Sequence, residues 1–218
     1  IAKIVSWNPE TNSIDVIENS NILIENNKII NIDTEINDCN QLLDAENCIV
    51  TPGFIDSHTH PIFIGNRSNE FIMRANGKTY KDISDSGGGI NYSVKNVRKA
   101  TKEQLYNSSL ENIKPFILNG TTTIEAKSGY GLSVNDEIKS LEVISDLNNN
   151  LDIDIIPTFL GAHSVPEEYL NKKQKYIDLI CEEMIPEISN RKLAVFCDVF
   201  CEEGYFNIDE SRKILLKA

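Results

Sequence analysis

From residue 53 onward the chain alternates short apolar strands with longer helical patterns, and this alternation limits the possible folds more than any other feature. Runs of apolar residues predict four strands: FIDSHTH, TTTIEA, DIDIIPTFLGA and LAVFCDVFCE. Helical spacing of apolar residues lies between them, near 92–118, up to about 149, and from Pro166. Such alternation predicts a parallel sheet covered by helices. Periodicity alone leaves open whether that sheet is doubly wound or belongs to a barrel.

The helical patterns carry some specific predictions. The stretch near 92–118 should end at Gly120, because glycine is common just after the last turn of a helix. Asn207 and Glu210 have the spacing of a capping box that opens another helix. The helix that begins at Pro166 should bury an apolar stripe of Leu170, Ile177, Ile180 and Met184.

The first 50 residues have a different texture. They contain short β-rich pieces broken by Asn, Asp and Glu, namely AKIVSW, SIDVI, NILIENNKIINI and NCIVT. Pieces of this kind are typical of a small antiparallel sheet with turns. We therefore expect two domains, residues 1–52 and 53–218.

Composition excludes several classes of protein. Lys and Arg number 21 against 33 Asp and Glu, a net charge of −12 without a basic cluster, which argues against nucleic acid as a partner. No apolar run approaches the roughly 18 residues that a membrane helix needs, and no signal peptide is recognisable. The five cysteines are scattered without a C-x-x-C pair, as in a reducing compartment. We expect a cytoplasmic protein that does not enter a membrane.

The chain has three histidines, and each falls at the carboxyl end of a predicted strand. His58 and His60 are two positions apart, so a strand projects both to the same face, roughly 6–7 Å apart at Cα. Two neutral imidazoles at this separation suit a divalent metal, with further ligands from elsewhere. Alone, H-x-H is a weak signal and also fits two partly exposed polar residues. Its place at a strand end favours the metal, because parallel α/β folds carry their sites there.

Two more residues have the same placement. His163 ends the third strand in TFLGAH, and Tyr130 follows the second strand in SGYG. Taken singly, His163 could be an ordinary surface or core histidine, and Tyr130 could cover a neighbour in a glycine-flanked turn. Their shared position at strand ends predicts that they lie on the same rim as His58 and His60.

The segment IVTPGFIDSHTH resembles the entry strand of the amidohydrolase superfamily. Members of that superfamily pair a composite β-sandwich with a distorted (β/α)8 barrel and bind a metal through H-x-H on strand one. More segments resemble the imidazolonepropionase family in particular: HTHPIFIGNRSNEF, SGGGI, GTTTIEAKSGYGL, TFLGAHSVPEEY and FCDVFCEEGYF. The resemblance runs from about residue 30 to 212. It implies an α/β fold, the N-terminal part of a composite β-sandwich followed by the first half, about four strands, of a distorted TIM barrel.

The resemblance also implies a function. It predicts hydrolysis of 4-imidazolone-5-propanoate to N-formimidoyl-L-glutamate by a metal-activated water, in histidine degradation. One divalent metal, zinc or iron, would be held by His58 and His60 together with a histidine and an aspartate on later strands. Arg67 would bind the propanoate, Tyr130 would donate from its hydroxyl, and His163 would polarise or hydrogen-bond the ring carbonyl. The chain lacks an initiator Met and stops early in its last helix, so we expect an N-terminal fragment that is inactive alone. The proton-transferring glutamate is expected beyond Ala218, and the resemblance implies a homodimer, since members of the family tend to form dimers.

Some features of the sequence fit other chemistry or other classes of protein. Lys127 could be the carbamylated lysine that bridges two metals in other amidohydrolases, but the family that fits is mononuclear. Asp56 shares a strand face with His58 and reads as a supporting carboxylate rather than a ligand. The rival within the same class is another mononuclear amidohydrolase, such as a ring deaminase. The rival from another class is a non-catalytic metal-binding fragment.

Overall fold

The short strands of the first unit, Ile1–Gly53, form two small sheets. The structure is a computed structural model that describes residues 1–36, 39–79, 82–83 and 86–218. The strands of this unit are β1 (Lys3–Asn8), β2 (Ser13–Glu18), β3 (Asn21–Glu25), β4 (Lys28–Asp33) and β5 (Ile49–Val50). β1 pairs antiparallel with β2 and parallel with β5, while β3 pairs antiparallel with β4. The prediction of one antiparallel sheet is wrong, because tight turns impose antiparallel pairing only within each hairpin and the longer path to β5 does not.

The second unit, Phe54–Ala218, is built on four parallel strands. They are β6 (Phe54–Thr59), β7 (Thr121–Lys127), β8 (Asp154–Ala162) and β9 (Phe196–Val199). All four predicted strands are confirmed, and they pair in chain order, β6-β7-β8-β9. A doubly wound sheet reverses its strand order at a switch point, whereas a barrel adds strands in one direction. The observed order is that of a barrel.

Helices connect these strands along the chain. They are α1 (Ser68–Ala75), α2 (Ile90–Lys99) and α3 (Lys102–Leu118) after β6, α4 (Val134–Asn150) after β7, α5 (Lys173–Leu179) and α6 (Ile185–Asn190) after β8, and α7 (Ile208–Lys217) after β9. A 3₁₀ turn at Glu167–Tyr169 precedes α5, and a π-helical segment at Ile180–Met184 joins α5 to α6. Within the described ranges, no helix combines the length and apolar character needed to cross a membrane.

The helical stretch predicted near 92–118 is two helices rather than one. The Thr101 side chain accepts a hydrogen bond from the Gln104 amide, and the Gln104 side chain accepts one from the Thr101 amide. This capping box starts α3 as a separate helix. The predicted stop is confirmed, because Gly120 follows the helix in a left-handed conformation with φ of +85°.

The helix predicted from Pro166 begins later than expected. Leu170 lies in the turn before α5 and is 64% exposed, so its predicted burial is wrong. Helical spacing does not extend to a residue that precedes the helix. Ile177, Ile180 and Met184 are buried as predicted.

The two faces of the four-stranded sheet have different roles. Ile124, Ala126 and Ile155 are buried in the core with α4, which contributes Leu141, Ile144 and Leu147. The alternate strand residues point to the opposite face, as the pleat requires. There they line an open cleft of about 380 Å³ that includes Thr123, Glu125, Lys127, Thr158 and Asp198.

Candidate metal and substrate site

Four of the predicted site residues lie together at the carboxyl ends of β6, β7 and β8. The ring centroids of His58 and His60 are 5.3 Å apart, and those of His60 and His163 are 5.0 Å apart. The Tyr130 ring lies 6.1 Å from His60 and 5.2 Å from His163. The parallel sheet creates this cluster, because the carboxyl ends of parallel strands meet at one edge.

The geometry of His58 and His60 fits a metal ligand pair. Their Nε2 atoms are 3.3 Å apart. Two nitrogens bound to one tetrahedral zinc at about 2.0–2.1 Å lie about 3.3–3.4 Å from each other. Burial, followed by the charges of His163, His58 and Lys127, lowers the pKa of His60 to about 4. The ring is therefore neutral near pH 7, which is the form that binds metal.

The histidine pair supplies only part of a metal site. The buried Nδ1 of His60 has no hydrogen-bond partner within the described part of the chain. In the same ranges, no group of three or more His, Cys, Asp and Glu side chains could hold a metal ion. Metal-binding histidines ordinarily donate the second ring N–H to a fixed acceptor. The pair therefore fits a metal, with further ligands and an Nδ1 partner still to be supplied.

An ionic network centred on the buried Lys127 supports the strand end that carries the two histidines. Thr59, which lies between them, donates from its amide to the Glu125 carboxylate at 3.3 Å and from its hydroxyl to the Glu125 carbonyl at 2.6 Å. Lys127 Nζ lies 2.7 Å from Glu125 Oε1 and 2.8 Å from Asp198 Oδ2. The end of β6 is thereby tied to β7, and β7 to β9. The sequence did not single out Glu125 or Asp198, which lie within the predicted strands TTTIEA and LAVFCDVFCE.

The contacts of Lys127 also bear on whether it could be a carbamylated lysine that bridges two metals. Burial favours the neutral amine, but the hydrogen bonds to Asp198 and Glu125 outweigh it and raise the pKa of Lys127 above its ordinary value. Carbamylation requires the neutral amine. Lys127 is held instead as an ammonium between two carboxylates, which agrees with a site that does not use it to bridge metals.

The backbone of the β7–α4 loop orients His163. Its Nδ1 lies 2.9 Å from the Gly129 carbonyl oxygen, which can only accept, so Nδ1 carries the proton. Burial lowers the pKa of His163; the Gly129 hydrogen bond opposes that shift and the Arg67 charge adds to it. The neutral ring then presents Nε2 as an acceptor.

Arg67 stands at the edge of this cluster. It occupies the N-cap position of α1, with a side chain that is 37% exposed and its Nε 3.8 Å from Glu70 Oε2. Glu70 is buried, and its other oxygen accepts a hydrogen bond of 2.7 Å from the Gly89 amide. The structure thus places Arg67 within electrostatic range of His163, on a helix start that Glu70 links to the glycine run.

Glu137, which the sequence did not single out, is bonded to the loop that carries Tyr130. Glu137 is completely buried and accepts hydrogen bonds from the loop that carries Tyr130. An acidic residue in the first turn of a helix is usually an exposed partner of the helix dipole, so its spacing gave no signal. The glycines on both sides of Tyr130 were the available hint that this loop has an unusual, fixed backbone.

Known proteins resemble this chain over nearly its whole length. It is 46% identical over 216 residues to the imidazolonepropionase of Clostridium tetani, an alignment that covers 96% of this chain and 52% of that protein. It is 46% identical over 213 residues to the imidazolonepropionase of Brevibacillus brevis and 45% identical over 213 residues to that of Geobacillus thermodenitrificans, with 94% of this chain and 50% of each relative covered. No family model matches the chain.

The chain spans about half the length of the curated relatives that it matches. Its motifs lie within that half: the histidine pair at the end of β6, the SGYG turn after β7 and His163 after β8. The identity exceeds 40% over more than nine tenths of the chain, and the alignment includes these motifs. The chain belongs to the imidazolonepropionase family.

Proposed function

We propose that the protein containing this chain hydrolyses 4-imidazolone-5-propanoate to N-formimidoyl-L-glutamate, and so opens a cyclic amide. One observation carries this proposal: the Nε2 atoms of His58 and His60 lie 3.3 Å apart at the strand edge where Tyr130 and His163 also lie. The relatives named imidazolonepropionase supply the reaction. An edge that gathers a metal-binding pair and ring-binding groups is suited to it.

The relatives' length supports a proposal for the whole architecture. They are about twice as long as this chain, and four strands in barrel order are half of an eight-stranded barrel. The four-stranded sheet is then the first half of a distorted TIM barrel, and the small sheets of Ile1–Gly53 are part of a composite β-sandwich. The cleft beside Glu125 and Lys127 becomes part of the barrel interior.

One divalent metal, zinc or iron, would be held by His58 and His60. When bound, such a metal supplies an activated water, whose pKa falls from about 15.7 toward 7. The neutral state of His60 and the anchoring of Thr59 to Glu125 keep the two imidazoles ready to bind it. The remaining ligands and the proton-transferring glutamate would come from outside the described residues.

Arg67 would bind the propanoate of the substrate. Its planar guanidinium can donate two parallel hydrogen bonds to a carboxylate. Glu70, 3.8 Å from Nε, orients this group on the first turn of α1. In a chain with a net charge of −12, a positioned arginine gives an anionic substrate a local attraction that the surface as a whole does not offer.

Tyr130 and His163 would hold the imidazolone ring. The hydrogen bond of His163 to Gly129 supports an assignment of which side chain donates to the ring and which accepts. Because the Nδ1–H of His163 donates a hydrogen bond to the Gly129 carbonyl, its neutral ring offers only an acceptor at Nε2. An acceptor suits a ring N–H of the substrate, not the ring carbonyl expected from the sequence. The hydroxyl of Tyr130, 5.2 Å away between ring centroids, is the donor suited to that carbonyl.

Product analysis tests the proposal. The full-length protein, meaning this chain with any further segments of its reading frame, is incubated with 4-imidazolone-5-propanoate and the products are identified by mass spectrometry. We expect N-formimidoyl-L-glutamate without release of ammonia, and loss of that product in the His58→Ala variant. Ammonia with an intact ring would indicate a deaminase instead. Absence of any turnover by a folded, metal-loaded protein would refute the assignment.

A further inference from the structure

The carboxylate of Glu137 is surrounded by donors from a single loop. Its Oε1 accepts hydrogen bonds of 2.8 Å from the amides of both Gly131 and Leu132, and its Oε2 accepts one of 3.1 Å from the Gly129 amide. The Ser128 hydroxyl also hydrogen-bonds to it. The side chain has no solvent exposure, so these bonds replace water entirely. A buried carboxylate is tolerated only when such donors compensate for its lost hydration.

Glu137 does not serve as the N-terminal cap of α4. The Ser133 side chain already accepts a hydrogen bond from the Asp136 amide and serves as the N-cap. Glu137 instead points away from its own helix turn, toward the loop that precedes it. Its partners are the loop amides on both sides of Tyr130.

This loop places two of the proposed substrate contacts. Tyr130 lies between Gly129 and Gly131, whose amides both donate to Glu137. The carbonyl of Gly129 accepts the Nδ1 proton of His163 at 2.9 Å. Glu137 and His163 therefore hold Gly129 from its two sides, one through the amide and the other through the carbonyl. A shift of this backbone would move Tyr130 and remove the acceptor that fixes the tautomer of His163.

Close packing leaves no room for a side chain at Gly129 or Gly131. Gly129 has φ of +100°, and a Cβ there would lie 2.9 Å from the Leu160 carbonyl oxygen and 3.0 Å from His163 Nδ1. A Cβ on Gly131 would lie 2.5 Å from the Asp136 carbonyl carbon. Both approaches are closer than real Cβ contacts, so the loop fits against β8 and α4 only with glycine at these positions.

We propose that Glu137 is a positioning residue for the proposed hydrolysis: through the backbone of Ser128–Leu132 it fixes Tyr130 and His163 without contacting substrate. The kinetic part of this inference rests on the proposed function. The structural part, the dependence of the loop on the carboxylate, is independent of it.

Amide hydrogen exchange tests the structural part. In Glu137→Gln, one carboxylate oxygen becomes an NH₂ donor that faces backbone N–H groups, so at least one hydrogen bond to the loop amides is lost. If the NH₂ replaces Oε2, the Gly129 amide keeps only its 3.2 Å contact with Oε1; if it replaces Oε1, the Gly131 and Leu132 amides lose their acceptor. We expect amides of residues 128–132 to exchange at least about tenfold faster in the full-length protein, because a lost buried hydrogen bond opens the loop locally. The control is Glu142→Gln, the same substitution on the same helix, where Glu142 pairs with Arg191 and Lys102 near the surface. Unchanged exchange of 128–132 in Glu137→Gln would overturn the inference.

Kinetics test the positioning role. We expect Glu137→Gln to lower kcat/KM at least about tenfold with metal content unchanged, and Tyr130→Phe to cost less in that background than in the wild type, because both changes act on one contact. If the two substitutions lower kcat/KM by independent factors that multiply in the double variant, Glu137 does not act through Tyr130 and the role is overturned. Glu137→Asp keeps the charge but shortens the side chain, so intermediate exchange and partial activity are expected; this variant decides the matter if the glutamine variant does not fold. A wild-type protein inactive on the imidazolone would refute the proposed function, while exchange would still decide whether Glu137 holds the loop.

Discussion

Two imidazole nitrogens 3.3 Å apart are close enough that only one of them can carry a proton between them. His58 is exposed and His60 is half-buried, so the pair lies where solvent and a cation can reach it. Burial, followed by the proximity of His163, His58 and Lys127, lowers the pKa of His60 and keeps its ring neutral. At the scale of single residues, this strand end favours binding of a metal ion, which can accept a lone pair from each of the two nitrogens.

His58→Ala or His60→Ala should therefore remove most of the bound metal. Each substitution deletes one of the two proposed ligands, and a site with one fewer protein ligand loses affinity steeply. Metal content of the purified full-length variants, measured by elemental analysis, checks this. His163→Ala is the matched control and should keep its metal. Full occupancy in both β6 variants, or an empty site in His163→Ala, would contradict the assignment.

Arg67→Ala should weaken substrate recognition while leaving the metal in place. Loss of a charged hydrogen bond costs about 1.5–3 kcal/mol, which corresponds to roughly 10- to 100-fold in kcat/KM. Arg67→Lys should recover only part of this, because an ammonium cannot form the two-pronged contact. Steady-state kinetics of both variants are compared with Arg74→Ala, an exposed arginine in the last turn of the same helix. Equal losses for Arg67→Ala and Arg74→Ala would argue against a specific contact.

At the scale of elements, the sequence predicts the strands better than the helix boundaries. The four parallel strands are recognisable from short runs of apolar and β-branched residues, although β6 is largely exposed in residues 1–218. The break between α2 and α3 depends on a capping interaction at Thr101 that interrupts an otherwise helical pattern. The delayed start of α5 depends on a 3₁₀ turn, which periodicity does not report.

Only some residues of the candidate site could be proposed from the sequence. Its histidines were predicted because strand ends can be located from apolar runs, and parallel strands bring their ends together. Glu137 and Glu125 could not be found by that reasoning. Their burial depends on loop and strand contacts between residues that the sequence does not show to be neighbours, and an acidic residue is ordinarily exposed.

The capping box of α3 gives a prediction at this scale. Thr101→Ala removes the acceptor for the Gln104 amide and should destabilise the first turn of α3 by ~1 kcal/mol. Amide exchange of residues 102–105 should accelerate about fivefold, measured by mass spectrometry on the full-length protein. Asn107→Ala, at an exposed position within the same helix, is the control and should leave these amides unchanged. Similar exchange in Thr101→Ala and the wild type would show that tertiary packing alone holds this turn.

At the scale of the whole molecule, residues 1–218 leave apolar sheet surface exposed. β6 and β9 are the two edges of the four-stranded sheet. Phe54, Ile55, Val195 and Phe196 on or beside these edges are each more than half exposed. Open strand edges with apolar side chains favour pairing with other chains. The net charge of −12 opposes association over long distances but does not satisfy the backbone groups of an open edge.

Residues 1–218 expressed alone should therefore aggregate and show no hydrolase activity. Size-exclusion chromatography with light scattering checks the first outcome, and the assay for N-formimidoyl-L-glutamate checks the second. The full-length protein under the same conditions is the control. A monodisperse product that melts cooperatively and turns over substrate would contradict both expectations. Light scattering of the full-length protein also tests the homodimer, which stays a prediction.

The strand order β6-β7-β8-β9 has a consequence for how the chain acquires its shape during synthesis. Each strand pairs with the strand made just before it, with only the connecting helices between them. A ribosome adds about 5–20 residues per second, which is slow compared with the pairing of neighbouring segments. The sheet can therefore grow at its newest edge as the polypeptide emerges, and the site is assembled in the order of translation: the histidine pair on β6 comes first, the Tyr130 loop second, and His163 closes the cluster.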